Sequence, residues 1–232
     1  MASIAENIST IREEIRKAAV GCGRPAASVA LLAVSKTQRP DKVREAYAAG
    51  QRDFGENYVQ EALGKISALP LPGLCWHFIG PIQSNKTREI AEHFQWVHSV
   101  DRLKIAQRLS AQRPAELDPL NICIQVNISG EGSKSGVALT QVSGLCEAIS
   151  GLENICLRGL MAIPAPCDDA EQQRLTFRPL AQLLQRLAAK YPQMDTLSIG
   201  MSGDFMAAIA EGSTIVRVGT AIFGARSEML ER

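Results

Sequence analysis

The chain has 232 residues, 46% hydrophobic and 21% charged, and its 25 Lys plus Arg against 24 Asp plus Glu leave a net charge of +1. That balance argues against nucleic acid or an anionic membrane as partner, both of which favour clustered positive charge, and no apolar run reaches the ~18–20 residues that span a bilayer. The N-terminal stretch MASIAENISTIREEIRKAA carries charges throughout and has no apolar secretory core. The cysteines, Cys22, Cys75, Cys123, Cys146, Cys156 and Cys167, form no CxxC pair. They read as reduced thiols of a cytoplasmic protein, several of them simply buried.

The elements follow in chain order. Ile4, Ile8, Ile11 and Ile15 stand at spacings of four, three and four, one face of an amphipathic helix, with Glu6, Arg12, Glu13, Arg16 and Lys17 on its solvated side. The helix is expected to stop near Gly21–Gly23. After it, apolar runs at 29–34, 52–56, 75–80, 96–100, 121–128, 155–163, 196–200 and 214–220 read as strands. Helical patterns lie between them at 41–50, 58–66, 86–94, 101–112, 139–150, 170–191 and 204–212. Strand starts mostly about 20–40 residues apart match a βα unit with a short helix.

Eight strands joined by helices, with no long linker, predict a single (β/α)8 barrel over 1–232, with residues 1–20 as an extra N-terminal helix packed on it. The competing architecture is an open doubly wound sheet. Against it, the chain carries neither GxGxxG nor GxxxxGK[ST].

In such barrels the site lies at the C-terminal ends of the strands. Lys36 directly follows the run LLAVS, so its amine is placed at the barrel mouth. A desolvated lysine is a nucleophile toward an aldehyde, whereas position alone also fits a solvated surface lysine. After strand seven, Gly200-Met201-Ser202-Gly203 precedes a helix, and after strand eight comes Gly219-Thr220. Small residues let backbone N–H groups converge on an anion, and these two loops are the usual phosphate site of the fold. Asp204 or Ser202 is placed to cap the helix that follows. Arg217 interrupts the apolar run IVRVG and must find a partner, either in a structural salt bridge or as a donor to a ligand acceptor. An amine, a phosphate cup and a buried arginine in one mouth point to pyridoxal 5′-phosphate (PLP), which offers an aldehyde, a phosphate and a pyridine nitrogen. Asn57 reads as a cofactor contact or as a helix cap, and Met161 as a ring contact or as core. His77 reads as a hydrogen-bonded interior residue, His93 and His98 as surface or strand-end residues. Lys86, and Lys134 in the loop GEGSKSG, stand as candidates for a second, looser PLP site.

AVSKT (33–37), FGENYVQE (54–61), WHFIGPIQSNK (76–86), GLMAI (159–163), LSIGMSGD (197–204) and VRVGTAIFG (216–224) closely resemble the pyridoxal phosphate homeostasis protein family, in the right order and over nearly the whole chain. The resemblance implies a barrel like the N-terminal domain of alanine racemase, with PLP held as a Schiff base on Lys36. It implies that Ser202, Gly219 and Thr220 hold the phosphate with backbone from Met201, that Arg217 faces the pyridine nitrogen, and that Asn57, Met161 and Ser198 line the ring. It implies a monomeric protein that binds and supplies PLP, with apo PLP-dependent enzymes as a class of partner and no established reaction of its own.

The alternative is a PLP-dependent amino-acid racemase or lyase, and a third reading is a sugar-phosphate aldolase using Lys36. A racemase needs proton-transfer groups on both faces of the cofactor plane. Lys36 serves one face, and none of Tyr47, Tyr58 and Tyr191 is obviously placed for the other. An arginine at the ring nitrogen donates a hydrogen bond without giving up its proton, which leaves the pyridine a poor electron sink. Both points favour a binding protein.

Overall fold

The computed structural model describes residues 2–129 and 135–224. Its strands form where the apolar runs lie: β1 (Ala30–Val34), β2 (Asp53–Glu56), β3 (Cys75–Phe78), β4 (Trp96–Val100), β5 (Leu120–Gln125), β6 (Ile155–Met161), β7 (Thr196–Ser198) and β8 (Ile215–Val218). Each pairs in parallel with the next, and β8 returns to β1 through Leu31↔Val216, Leu32↔Arg217 and Ala33↔Val218, which closes the barrel. An open doubly wound sheet is thereby overturned, since closure leaves no edge strand. The helices are α1 (Ile4–Gly21), α2 (Pro40–Ala48), α3 (Val59–Ala68), α4 (Thr87–His93), α5 (Leu103–Gln112), α6 (Val142–Ile149), α7 (Ala170–Lys190), α8 (Phe205–Ala210) and α9 (Thr220–Phe223). Among the described residues, no helix is long and apolar enough to cross a membrane.

α1 starts at a capping box: Glu6 N–H donates to Ser3 Oγ, and Ser3 N–H donates to Glu6 Oε2. Its four isoleucines are all buried and the helix packs on α2, α8 and α9. Each buried isoleucine contributes about 1.5–3 kcal/mol, so α1 seals one flank of the barrel rather than hanging from it.

Strand residues alternate between two environments, as a period of two requires. Leu31, Ala33, Val216 and Val218 join the large apolar layer between sheet and helices, while Leu32, Val34 and Ile215 point inward and meet Ile79. Much of the remaining interior is polar: His77, His98, Ser198 and Arg217 are all buried there. This corrects the expectation for His98. Its neighbour Val97 belongs to the outer apolar layer, so His98 turns into the barrel, 0% exposed. There its Nε2 lies 2.9 Å from His77 Nδ1 and its Nδ1 2.8 Å from Ser198 Oγ. His93 ends α4, half-buried, with Nδ1 2.9 Å from the Glu89 carbonyl.

Candidate functional site

The chain leaves β1 as Ser35-Lys36-Thr37, and the backbone on both sides of Lys36 is clamped by buried charge. Lys65 on α3 is 3% exposed. Its Nζ donates to the Ser35 carbonyl at 2.6 Å, to Glu56 Oε1 at 2.7 Å and to Glu61 Oε1 at 2.5 Å. Ser35 Oγ donates to Glu56 Oε1, and the Thr37 N–H donates to Glu61 Oε1, each at 2.6 Å. Thr37 sits at φ +62°, a left-handed conformation that costs a threonine about 1–2 kcal/mol and that its N–H bond to Glu61 offsets. Burial raises the Glu56 carboxyl above its ordinary range, with Lys65 and Ser35 acting against that rise. This clamp was invisible to motif reading. Its one sequence trace is Glu61 and Lys65 at helical i,i+4 spacing.

A cavity of about 290 Å³ opens beside Lys36, lined by residues at or just beyond the C-terminal ends of β1, β2, β3, β6, β7 and β8. It brings together Lys36, Asn57, Met201, Ser202, Arg217, Gly219 and Thr220. A second space of about 240 Å³ shares Asn57, Ile79 and Ile163 with it and extends the mouth toward Gln125. Met161 and Ser198 do not line this space; both are fully buried. The Ser198 hydroxyl accepts from Arg217 instead. Val34, Ile79 and Ile163 are lining residues with no role expected from the sequence, and Gly203 joins the lining from the expected anion loop.

Three features of the lining suit a polar ligand. The Asn57 Oδ1 is buried and has no partner among the described residues; α3 is capped at Tyr58 without a side-chain bond, so Asn57 does not serve that helix. The backbone N–H groups of Ser202, Gly203 and Thr220 have no acceptor among the described residues. A Cβ placed on Gly203 would meet nothing within 4 Å, so backbone lies open to the cavity there. The Met201 N–H, by contrast, donates to Asp204 Oδ1 at 2.5 Å. Met201 therefore does not offer its amide to a ligand in this structure, and Asp204, the N-cap residue of α8, turns its carboxyl back onto the loop. Burial raises the Asp204 carboxyl above the usual range.

Arg217 stands at the cavity floor. It donates through Nη1 to the Ser198 carbonyl at 2.5 Å and to Ser198 Oγ at 2.9 Å, and through Nη2 to the Ala162 carbonyl at 2.9 Å. No salt bridge holds it among the described residues. Burial pushes its guanidinium down to about 10, still charged at neutral pH. A buried cation satisfied by neutral acceptors keeps its remaining N–H groups for whatever enters the cavity. Lys86 lines a separate space of about 300 Å³ and donates to Glu89 at 2.9 Å; Lys134 lies outside the described residues.

A partly buried amine, a pocket of unengaged amide donors, an orphaned amide oxygen and a charged donor on one wall fit a small anionic aldehyde with a heteroaromatic ring. The family model for the N-terminal domain of alanine racemase matches residues 1–227. The pyridoxal phosphate homeostasis protein of Pseudomonas aeruginosa is 62% identical over 226 residues, covering 97% of both chains.

The chain belongs to the pyridoxal phosphate homeostasis protein family.

The Escherichia coli K12 member is 55% identical over 229 residues, covering 97% of this chain and 98% of its own. Among solved structures, PipY of Synechococcus elongatus with PLP bound superimposes with a TM-score of 0.84 at 38% identity, over 96% of this chain and all of PipY. The stretch WHFIGPIQSNK, which carries much of the resemblance, runs along β3 into the Ile79–Lys86 loop. In this structure the segment supplies Ile79 to the cavity and packs Gly80 against Asn57.

Proposed function

We propose that this chain binds PLP covalently through Lys36 and serves to hold and supply the cofactor in the cytoplasm, without turning over a substrate. One observation carries the reading: the Lys36 side chain and the free amide donors of Ser202, Gly203 and Thr220 border a single cavity large enough for a small ligand. When bound, PLP supplies an aldehyde that condenses with an amine, together with a pyridine ring and a phosphate. Ser202, Gly219 and Thr220 would hold the phosphate, with the Gly203 N–H added to the set and the Met201 amide retained by Asp204. Arg217 would donate to the ring nitrogen. Asn57, Ile79 and Ile163 would flank the ring, while Met161 and Ser198 support it from beneath.

The residues around Lys36 favour holding over catalysis. Among the described residues the lining contains no His, Tyr, Cys, Asp or Glu. Tyr47 donates to the Pro72 carbonyl, Tyr58 projects into solvent beside the mouth, and Tyr191 packs in the outer apolar layer. A racemase or lyase would therefore lack a second proton-transfer group opposite Lys36. Arg217 remains charged and cannot pass a proton to the ring. A protein that grips its cofactor by one reversible bond and a shallow phosphate cup suits release to apo-enzymes.

The test is an absorption spectrum of the protein with added PLP, before and after borohydride, followed by peptide mass spectrometry. A pyridoxyl mass on Lys36, lost in Lys36→Ala, is expected. Failure to take up PLP refutes the reading. A sugar-derived adduct supports the aldolase instead, and amino-acid turnover above free PLP by chiral chromatography supports the racemase.

A further inference from the structure

The barrel interior contains a continuous row of hydrogen bonds that runs from the cavity floor to the opposite mouth. Arg217 Nη1 lies 2.9 Å from Ser198 Oγ, Ser198 Oγ 2.8 Å from His98 Nδ1, His98 Nε2 2.9 Å from His77 Nδ1, and His77 Nε2 3.1 Å from Asp53 Oδ1. Asp53 opens β2 and is 42% exposed; the three groups between it and Arg217 are buried.

The proton positions follow from the Asp53 end. An arginine only donates and an ionised carboxylate only accepts. Burial lowers both histidines below the ordinary imidazole range, His98 well below it, so each ring carries one N–H at neutral pH. His77 gives its Nε2–H to Asp53, which leaves Nδ1 bare to accept from His98 Nε2–H. His98 Nδ1 is then bare and accepts the Ser198 O–H, and the Ser198 oxygen accepts from Arg217. Every donor then points the same way; the Asp53 end fixes the order, and the Ser198 oxygen accepting from Arg217 agrees with it. The Trp96 ring stacks on His77 at 5.5 Å and 6°, which holds that imidazole in plane.

We propose that His98 is a positioning residue for the cofactor ring: by accepting the Ser198 proton it turns the serine lone pair onto Arg217, and the chain ending at Asp53 locks the guanidinium in the orientation that meets the ligand. This rests on the PLP reading above. Linked bonds of one polarity strengthen one another, and Ser198 without His98 is free to rotate its hydroxyl away. Asp53, Cys75 and His77 also offer donor atoms within 4.8 Å of one another, the spacing of a metal site. Cys75 Sγ lies 3.3 Å from His77 Nε2, a longer contact than the 3.1 Å to Asp53 Oδ1.

The first experiment needs no PLP. With three histidines in the chain, selective ¹⁵N labelling reads each tautomer, with His98→Gln assigning the signals. His77 and His98 are both expected neutral at pH 7 with the proton on Nε2; a proton on Nδ1 of either, or a doubly protonated ring, overturns the chain. The second experiment uses PLP-loaded protein. His98→Phe keeps the ring volume and deletes both bonds; it is expected to weaken PLP retention about tenfold, the scale of one lost buried bond, and to shift the bound absorption band. His98→Gln, which still offers an acceptor and a donor, should restore both. Unchanged affinity and spectrum in His98→Phe overturn the positioning role. Should that variant not fold, Asp53→Asn replaces it: the His98 ¹⁵N signals are expected to move although His98 does not touch Asp53, and unmoved signals refute the relay. A wild-type protein that ignores PLP removes the ligand and with it the positioning role, while the tautomers still report on the chain itself.

Discussion

Replacing Lys65 by methionine tests the clamp around Lys36. The substitution keeps much of the side-chain volume and deletes three donated bonds, to Ser35, Glu56 and Glu61. It leaves Glu56, which is fully buried, with no cation. Breaking one side of a buried ion pair costs about 3–5 kcal/mol because the remaining charge is stranded, and for a chain of this size that corresponds to a melting temperature lower by about 10 °C. The loss has a pH signature. The Glu56 carboxyl is already raised above 4.5 by burial, and Lys65 is a leading influence holding it down. A group whose folded pKa is raised stabilises the fold in its protonated form, and that contribution disappears as pH rises through the folded value. Without Lys65 the folded value climbs further. The variant is therefore penalised most at pH 8 and progressively less as the pH falls toward the ordinary carboxylate range. Thermal melts and urea titrations of both proteins at pH 8 and pH 5 read this directly, and Lys65→Met with Glu56→Gln should recover part of the loss at pH 8. A penalty below about 1 kcal/mol at pH 8, or one of equal size at both pH values, would refute the account of Lys65 as the cation that makes buried Glu56 tolerable.

Ser202→Ala should weaken PLP binding by about 1.5–3 kcal/mol, the scale of a hydrogen bond to a charged group, as measured by equilibrium titration; unchanged affinity would remove Ser202 from the phosphate cup. A Cβ at Gly80 would lie 2.1 Å from the Asn57 carbonyl, so Gly80→Ala should cost about 1–3 kcal/mol and reduce PLP retention together. Gly64, exposed in α3 with nothing within 4 Å of a Cβ, is the opposite case: Gly64→Ala should stabilise by about 0.5–1 kcal/mol, and urea midpoints compare the two. Burial pushes the Cys123 thiol up to about 12 and the Cys146 thiol up to about 11, whereas Cys22 is exposed. Alkylation at pH 8 followed by mass spectrometry should label Cys22 first and reach Cys123 only under denaturing conditions.

The local code of this protein is strong. Runs such as VALLAV and NICIQVNI announce strands because a barrel strand buries both faces, and the isoleucines of α1 announce a helix because they fall on one stripe. Lys36, Ser202, Arg217, Gly219 and Thr220 were legible as neighbours because each sits at the end of a strand or just beyond it, and closure of the sheet brings those ends around one mouth. What lies beneath the mouth was not legible. Ser198 reads as a ring contact in sequence, yet its hydroxyl is engaged by His98, a residue 100 positions away. His98 itself stands in WVHSV with nothing local to mark which way it faces. Lys65 is one charged residue on an amphipathic helix until Glu56 and the Ser35 carbonyl, 9 and 30 residues distant, close over it. Apolar periodicity is a property of neighbours along the chain and survives in the sequence. The partner of a buried polar group is set by which strand ends up across the barrel and by a two-residue period that a single-residue register shift would reverse, and only the folded sheet decides that.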